Sequence, residues 1–191
     1  MINDRSILLH TCCAPCSPYV VQELSKNYRL SLYYYNPNIH PIEEYEKRFE
    51  ELSRWSQNLG VKLYKGEYDI ESWFKIADGL EDEPEKGKRC INCFELRLKE
   101  TARKGSELSF DYYGTVMTVS PHKDAVVINE IGNRYSSLNG SKFLEANWKK
   151  KDGFKITTEL SDKLNFYRQK YCGCVYSKNK VVGRAGRLSD G

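Results

Sequence analysis

Residues 6–18 read SILLHTCCAPCSP, and the fold follows from how this stretch divides. Ser6–His10 is a short apolar run of the length expected for a buried strand. Thr11–Cys16 is small and polar and carries three cysteines. Ser17 and Pro18 then read as an N-cap and a first helical residue, opening a helix over YVVQELSKN. Strand, polar loop and helix start in immediate succession describe a β-to-α handover in an α/β sheet.

The same handover recurs along the chain. Leu30–Tyr35 reads as a second strand and runs into NPNIHP. Pro41 opens a long helix with Tyr45, Phe49, Leu52, Trp55 and Leu59 at helical spacing and Gly60 at its end. Val61–Tyr64 reads as a third strand and the acidic EDEPEKGK, 81–88, as a loop. A helix is expected from near Cys90 to Lys104, and a fourth strand over Asp111–Val119. Ser120–Pro121 reads as another cap and first turn, leading into HKDAVVINEIG. The alternation predicts one Rossmann-like α/β domain over 1–191, with a mainly parallel sheet flanked by helices. Residues 142–191 are expected to form an irregular, basic, helical C-terminal portion, with a helix near Ser161–Tyr171. The motifs TCCAPCSP, NPNIHP and SPHKD all fall where strands hand over to helices. In an open parallel sheet that is the ligand-binding end.

The net charge of +4 is unevenly spread. Between Lys142 and Arg187 lie twelve Lys or Arg against four Asp or Glu. Such a region suits a phosphate-contacting surface, and equally a solvated face. Lys149, Lys150, Lys151, Arg168 and Lys170 are its leading candidates for RNA contact. No apolar run is long enough to cross a bilayer, and the N-terminus lacks the features of a signal peptide. A cytoplasmic protein is therefore expected. In that compartment seven cysteines read as metal ligands or redox groups, not as a disulfide framework.

Six of the cysteines lie in pairs close in sequence: Cys12/Cys13, Cys90/Cys93 and Cys172/Cys174. Neighbouring side chains in a strand point to opposite faces, so Cys12 and Cys13 can serve one centre only from a turn. A four-iron cluster presents separate sites to adjacent thiolates, and four thiolates from two segments match its ligation. The following helix start favours thiolates as well. A four-cysteine zinc site is the duller alternative. Cys172-Gly173-Cys174 suits a strained, reversible redox pair, with two further metal ligands as the open alternative. Cys16 is either a ligand for a second metal or a buried thiol.

LLHTCCAPCS, YNPNIHPIEEYEKR, RCINCFELRL, TVMTVSPHKD and YCGCVYS, in that order over residues 8–177, resemble the QueH family of epoxyqueuosine reductases. The resemblance implies removal of the epoxide oxygen of epoxyqueuosine at the wobble position of tRNA, without cobalamin. It also implies a [4Fe-4S] cluster on Cys12, Cys13, Cys90 and Cys93 and a redox-active disulfide between Cys172 and Cys174; the two-electron chemistry adds the expectation of an unidentified electron donor. An additional iron is a further expectation, with Cys16 as its candidate ligand. His10, His40 and His122 are proton-donor candidates. Tyr33, Tyr34, Tyr35, Tyr112 and Tyr113 are stacking candidates, though alternating strand tyrosines are more often core. Ser120–Pro121 is a candidate phosphate site. Two rivals stand beside this reading. One is a PP-loop-like, ATP-dependent tRNA-modifying enzyme, although TCCAPCSP lacks a glycine-rich phosphate loop and no ATP hydrolysis is expected. The other is a zinc-stabilised RNA-binding module.

Overall fold

The computed structural model describes residues 4–136 and 140–178. Five strands form one parallel sheet: β1 (Ser6–His10), β2 (Arg29–Tyr34), β3 (Lys62–Lys65), β4 (Tyr112–Thr115) and β5 (Lys142–Phe143). Their order is β3-β2-β1-β4-β5. The helices are α1 (Pro18–Leu24), α2 (Ile42–Asn58), α3 (Ile70–Ala77), α4 (Lys88–Glu107), α5 (Ala125–Ser136) and α6 (Gly153–Lys163). The expected α/β architecture is the observed one.

β1 lies at the centre, with Ile7 opposite both Leu30 and Tyr112. All five of its residues are buried. Ile7 and Leu9 pack with Val20, Leu32, Leu52 and Trp55, whereas Leu8 packs with Tyr33 and Tyr35 on the opposite face. A third cluster joins Leu98 and Ala102 of α4 to Ile128 and Ile131 of α5. The sheet is thus covered on both faces, which is why its inner strands read as apolar runs. The chain builds outward from β1 to β3 on one side, then crosses to β4 and β5 on the other. That reversal opens a crevice beyond the carboxyl ends of β1 and β4.

Several elements depart from the sequence reading for local reasons. β4 stops at Thr115, whose hydroxyl accepts the Met117 N–H at 3.1 Å and turns the chain into a 3-10 helix at Met117–Val119. Helix α5 begins at Ala125, not at Ser120–Pro121, because the Asp124 carboxylate takes the Val126 N–H at 2.8 Å. The unanticipated α3 is capped by Asp69, which accepts the Ser72 N–H at 3.0 Å, and it buries Trp73 and Ala77. In the C-terminal portion the helix is α6, ending near Leu164 with Asn165 at φ +52°, so it does not run on to Tyr171. The end of the basic region, including Lys180, Arg184 and Arg187, falls outside the described residues. Among the described residues no helix is long and apolar enough to cross a membrane.

Candidate functional site

The loop after β1 brings three thiols together. Thr11 continues the ladder by donating its N–H to the Tyr33 carbonyl at 2.9 Å. Cys13 is extended, and Ala14–Cys16 then forms a 3-10 turn. Ser17 flanks α1 as expected, but its side chain does not cap the helix. Its hydroxyl donates instead to the Cys13 carbonyl at 2.9 Å, pinning the turn. As a result the sulfurs of Cys12, Cys13 and Cys16 all lie within 4.8 Å of one another, those of Cys12 and Cys13 at 3.8 Å. Cys16, set apart in the sequence reading, belongs to this trio.

The Cys12 thiol is held well below its ordinary range, first because Cys13 and Cys16 donate S–H hydrogens to it. For the same reason Cys13 is pushed up to about 12 and Cys16 is raised. Three sulfurs this close are placed to bind a metal together, with protons released as ligation proceeds.

The trio opens onto a cleft of about 460 Å³ beyond the carboxyl ends of β1 and β4, lined by Cys12, Cys16, Cys90, Cys93, Cys172 and Cys174. Cys90 and Cys93 lie in the first turns of α4, with the Lys86 N–H donating to the Cys90 sulfur at 3.4 Å. Burial raises both thiols, Cys93 to about 12. Cys172 is exposed and Cys174 buried, and both are free thiols. Their loop is seated on the NPNIHP segment. The Gly173 carbonyl accepts the His40 N–H at 2.8 Å, and the Tyr171 hydroxyl donates to the His40 carbonyl at 2.7 Å. Gly173 has φ +123°, and a Cβ there would lie 2.9 Å from Ile39 Cγ1. Glycine is needed both for the turn and for the close approach.

Arginines complete the site, and sequence reading missed them. Arg48, Arg89 and Arg97 are each 1% exposed. Arg48 donates to the carbonyls of Cys172 (3.1 Å) and Tyr171 (3.3 Å) and pairs with Glu44 at 2.6 Å. Arg97 and Arg89 line the cleft. Burial works against the Arg97 charge, but the sulfurs of Cys93, Cys12, Cys172 and Cys90 more than offset it. Lys123, also on the cleft, is raised in the same way, its burial outweighed by Cys12 and Cys172. Arg89 Nε and Nη2, Arg97 Nη2 and Trp73 Nε1 are buried donors without a hydrogen-bond partner. A cysteine-rich cleft with buried cations and unspent N–H donors fits an anionic, thiolate-ligated metal centre.

The remaining candidates divide. His10 is fully buried, and desolvation lowers its pKa to about 3. Its Nε2 hydrogen goes to the Tyr35 carbonyl (3.1 Å), while Nδ1 faces the Thr115 hydroxyl (3.1 Å). It is a neutral structural group, not a proton donor at the cleft. The His40 ring lies among Tyr68, Trp73 and Phe74. His122 is exposed and lines the cleft. Tyr33, Tyr34, Tyr35 and Tyr113 are buried, and Tyr112 packs edge-on against Tyr28, so these rings serve the core and not base stacking. Ser120–Pro121 starts no helix and offers no N-terminal phosphate site. Lys149 is half-buried and spends its ammonium on the carbonyls of Ser120 (3.3 Å) and Lys123 (2.6 Å). Lys150 and Lys151 are exposed, while Arg168 and Lys170 are exposed at the cleft wall.

Comparison with known proteins places this geometry in a family. The family model described as "Epoxyqueuosine reductase QueH" matches residues 7–180. An epoxyqueuosine reductase QueH of Haemophilus influenzae is 39% identical, over 97% of this chain and 78% of its own. The one from Streptococcus pyogenes is also 39% identical, over 90% of this chain and 70% of its own. The Thermotoga maritima protein of that name is 32% identical over 90% of both. Among solved structures, the fold resembles a U34-tRNA thiolase from Methanococcus maripaludis with its [4Fe-4S] cluster. That match has a TM-score of 0.60 and 13% identity, over 98% of this chain and 66% of that one. A predicted tRNA methyltransferase subunit from Methanocaldococcus jannaschii matches at TM-score 0.53 and 12% identity, over 80% of this chain and 75% of that one. At such identities the structural likeness concerns the fold, whereas the sequence matches carry the assignment: this chain belongs to the QueH family of epoxyqueuosine reductases.

Proposed function

We propose that this chain, as a single α/β domain, reduces epoxyqueuosine to queuosine at the wobble position of tRNA, without cobalamin. In this reading Cys12, Cys13, Cys90 and Cys93 hold a [4Fe-4S] cluster, Cys16 serves an additional iron, and Cys172 and Cys174 form a redox-active pair. The observation that carries it is the meeting of all three cysteine motifs at one cleft, at the switch point of the sheet. When bound, such a cluster supplies single electrons, and an additional iron supplies a Lewis acid for the epoxide oxygen.

The chain's own residues account for the rest of the balance. Converting an epoxide to an alkene breaks two C–O bonds, forms a C=C bond and releases water. It consumes two electrons and two protons. Oxidation of the Cys172/Cys174 dithiol to a disulfide releases two of each, and an external low-potential donor must restore the thiols. His122, the histidine on the cleft, is placed to relay a proton. Lys150, Lys151, Arg168 and Lys170 offer cations to the RNA backbone. The substrate nucleoside must leave its neighbours to enter the cleft.

The test is anaerobic incubation of the purified protein with epoxyqueuosine tRNA and a low-potential reductant, followed by nucleoside mass spectrometry. Loss of one oxygen from the modified nucleoside is expected, from a brown protein containing iron. A colourless protein with stoichiometric zinc and an unchanged nucleoside would support the zinc-stabilised RNA-binding alternative. ATP-dependent turnover would support the PP-loop one.

A further inference from the structure

One hydrogen-bonded chain joins the two cysteine segments to which the proposed function assigns the cluster. The Thr11 carbonyl, immediately before Cys12, accepts from Asn36 Nδ2 at 2.9 Å. That bond fixes which way the Asn36 amide points, and its Oδ1 accepts from Arg97 Nη1 at 3.3 Å. Arg97 Nε donates in turn to the carbonyl of Cys93 at 3.4 Å. Asn36 is fully buried and Arg97 is 1% exposed. The last two bonds are long, so they locate the guanidinium more than they bind it tightly.

The charge on this side chain is the unexpected part. Arginine stays ionised in any protein environment, and burying it without an anionic partner is costly. Among the described residues no carboxylate pairs with Arg97, whereas Arg48 in the same core has Glu44. An apolar residue at 97 would fill the space at less cost. A buried cation with no carboxylate partner, facing a cysteine-lined cleft with Nη2 unspent, is explained if its anion is a metal centre held on those sulfurs. We infer that Arg97, oriented by Asn36, is a positioning residue that supplies this countercharge and so raises the reduction potential of the centre. Net charge and hydrogen bonds to the sulfurs are what set such potentials. The inference rests on the proposed function, since it requires a redox-active cluster in this cleft.

Two substitutions in the anaerobically purified holoprotein test it: Arg97→Gln, which keeps an amide donor and removes the charge, and Arg97→Lys, which keeps the charge. Iron per chain and the midpoint potential from a redox titration followed by electron paramagnetic resonance are the readouts. Arg97→Gln should make reduction at least tenfold less favourable, about 59 mV for one electron, while Arg97→Lys stays near the wild type. An iron-free Arg97→Gln protein beside an iron-loaded Arg97→Lys protein would also support the inference, because charge would then decide retention. An unchanged potential in Arg97→Gln would overturn it. So would equal shifts, or equal loss of iron, in both variants, which would make the shape of the guanidinium the property that matters. A wild-type protein lacking any redox-active centre would overturn the proposed function, and this inference with it.

Discussion

Arg48 and Arg97 are buried to the same extent and keep different company. Arg48 sits against a carboxylate and two carbonyls, and its charge is neutralised where it stands. Arg97 has an amide, a carbonyl and the edge of the cysteine cleft, with one donor unspent. The first arrangement is that of a clamp, which fixes the Cys172–Cys174 loop to the start of α2. The second keeps a charge available to whatever occupies the cleft. Equal burial therefore marks different roles, and the presence or absence of a carboxylate tells them apart.

That contrast can be tested by removing its parts in turn. The largest effect is expected on the Arg97 side: Cys90→Ala should abolish both visible absorption and turnover, checked by iron analysis and the nucleoside assay. Cys172→Ala, on the Arg48 side, should keep the absorption and lose most turnover; full activity would remove the pair from the reaction. Arg48→Met leaves Glu44 without its cation, keeping the Tyr167 hydroxyl at 3.2 Å, and takes the arginine donor from two carbonyls, at a cost of about 3–5 kcal/mol. Urea unfolding would read that loss, and a loss below about 1 kcal/mol would mean that the pair is only as strong as a surface one. The smallest change is predicted far from either arginine. Lys150→Ala with Lys151→Ala should weaken tRNA binding and reduce the slope of log affinity against log salt by about one to two. An unchanged slope would put the RNA surface elsewhere.

The sheet and its ligand-binding end were legible because three strand-to-helix handovers carry polar or cysteine-rich motifs that a buried strand would exclude. The cleft followed from them. The arginines did not, although Arg48 falls on the Tyr45, Leu52 and Trp55 stripe and both lie in the quoted motifs, because residue type alone assigns a basic helix residue to the surface. Their roles depend on partners far along the chain, Tyr171 and Cys172 for one and Asn36 for the other. Cys16 joins Cys12 and Cys13 through a 3-10 turn that the sequence does not signal. The tyrosines of β2 are open to core or stacking roles on sequence alone, and the covering of both sheet faces puts them in the core. Helix α3 escaped notice because its eight residues are fewer than a periodicity argument needs.

The unequal exposure of Cys172 and Cys174 gives the loop a direction. Thiol–disulfide exchange proceeds at whichever sulfur an incoming thiolate can reach, and only Cys172 is exposed, while Cys174 packs against Trp73, Ala77 and Cys93. If the pair cycles, a reductant arriving from solution meets the outer sulfur first, although both sulfurs line the cleft. Reductant and nucleoside would then take turns at one opening, and recharging the thiols would wait on departure of the product.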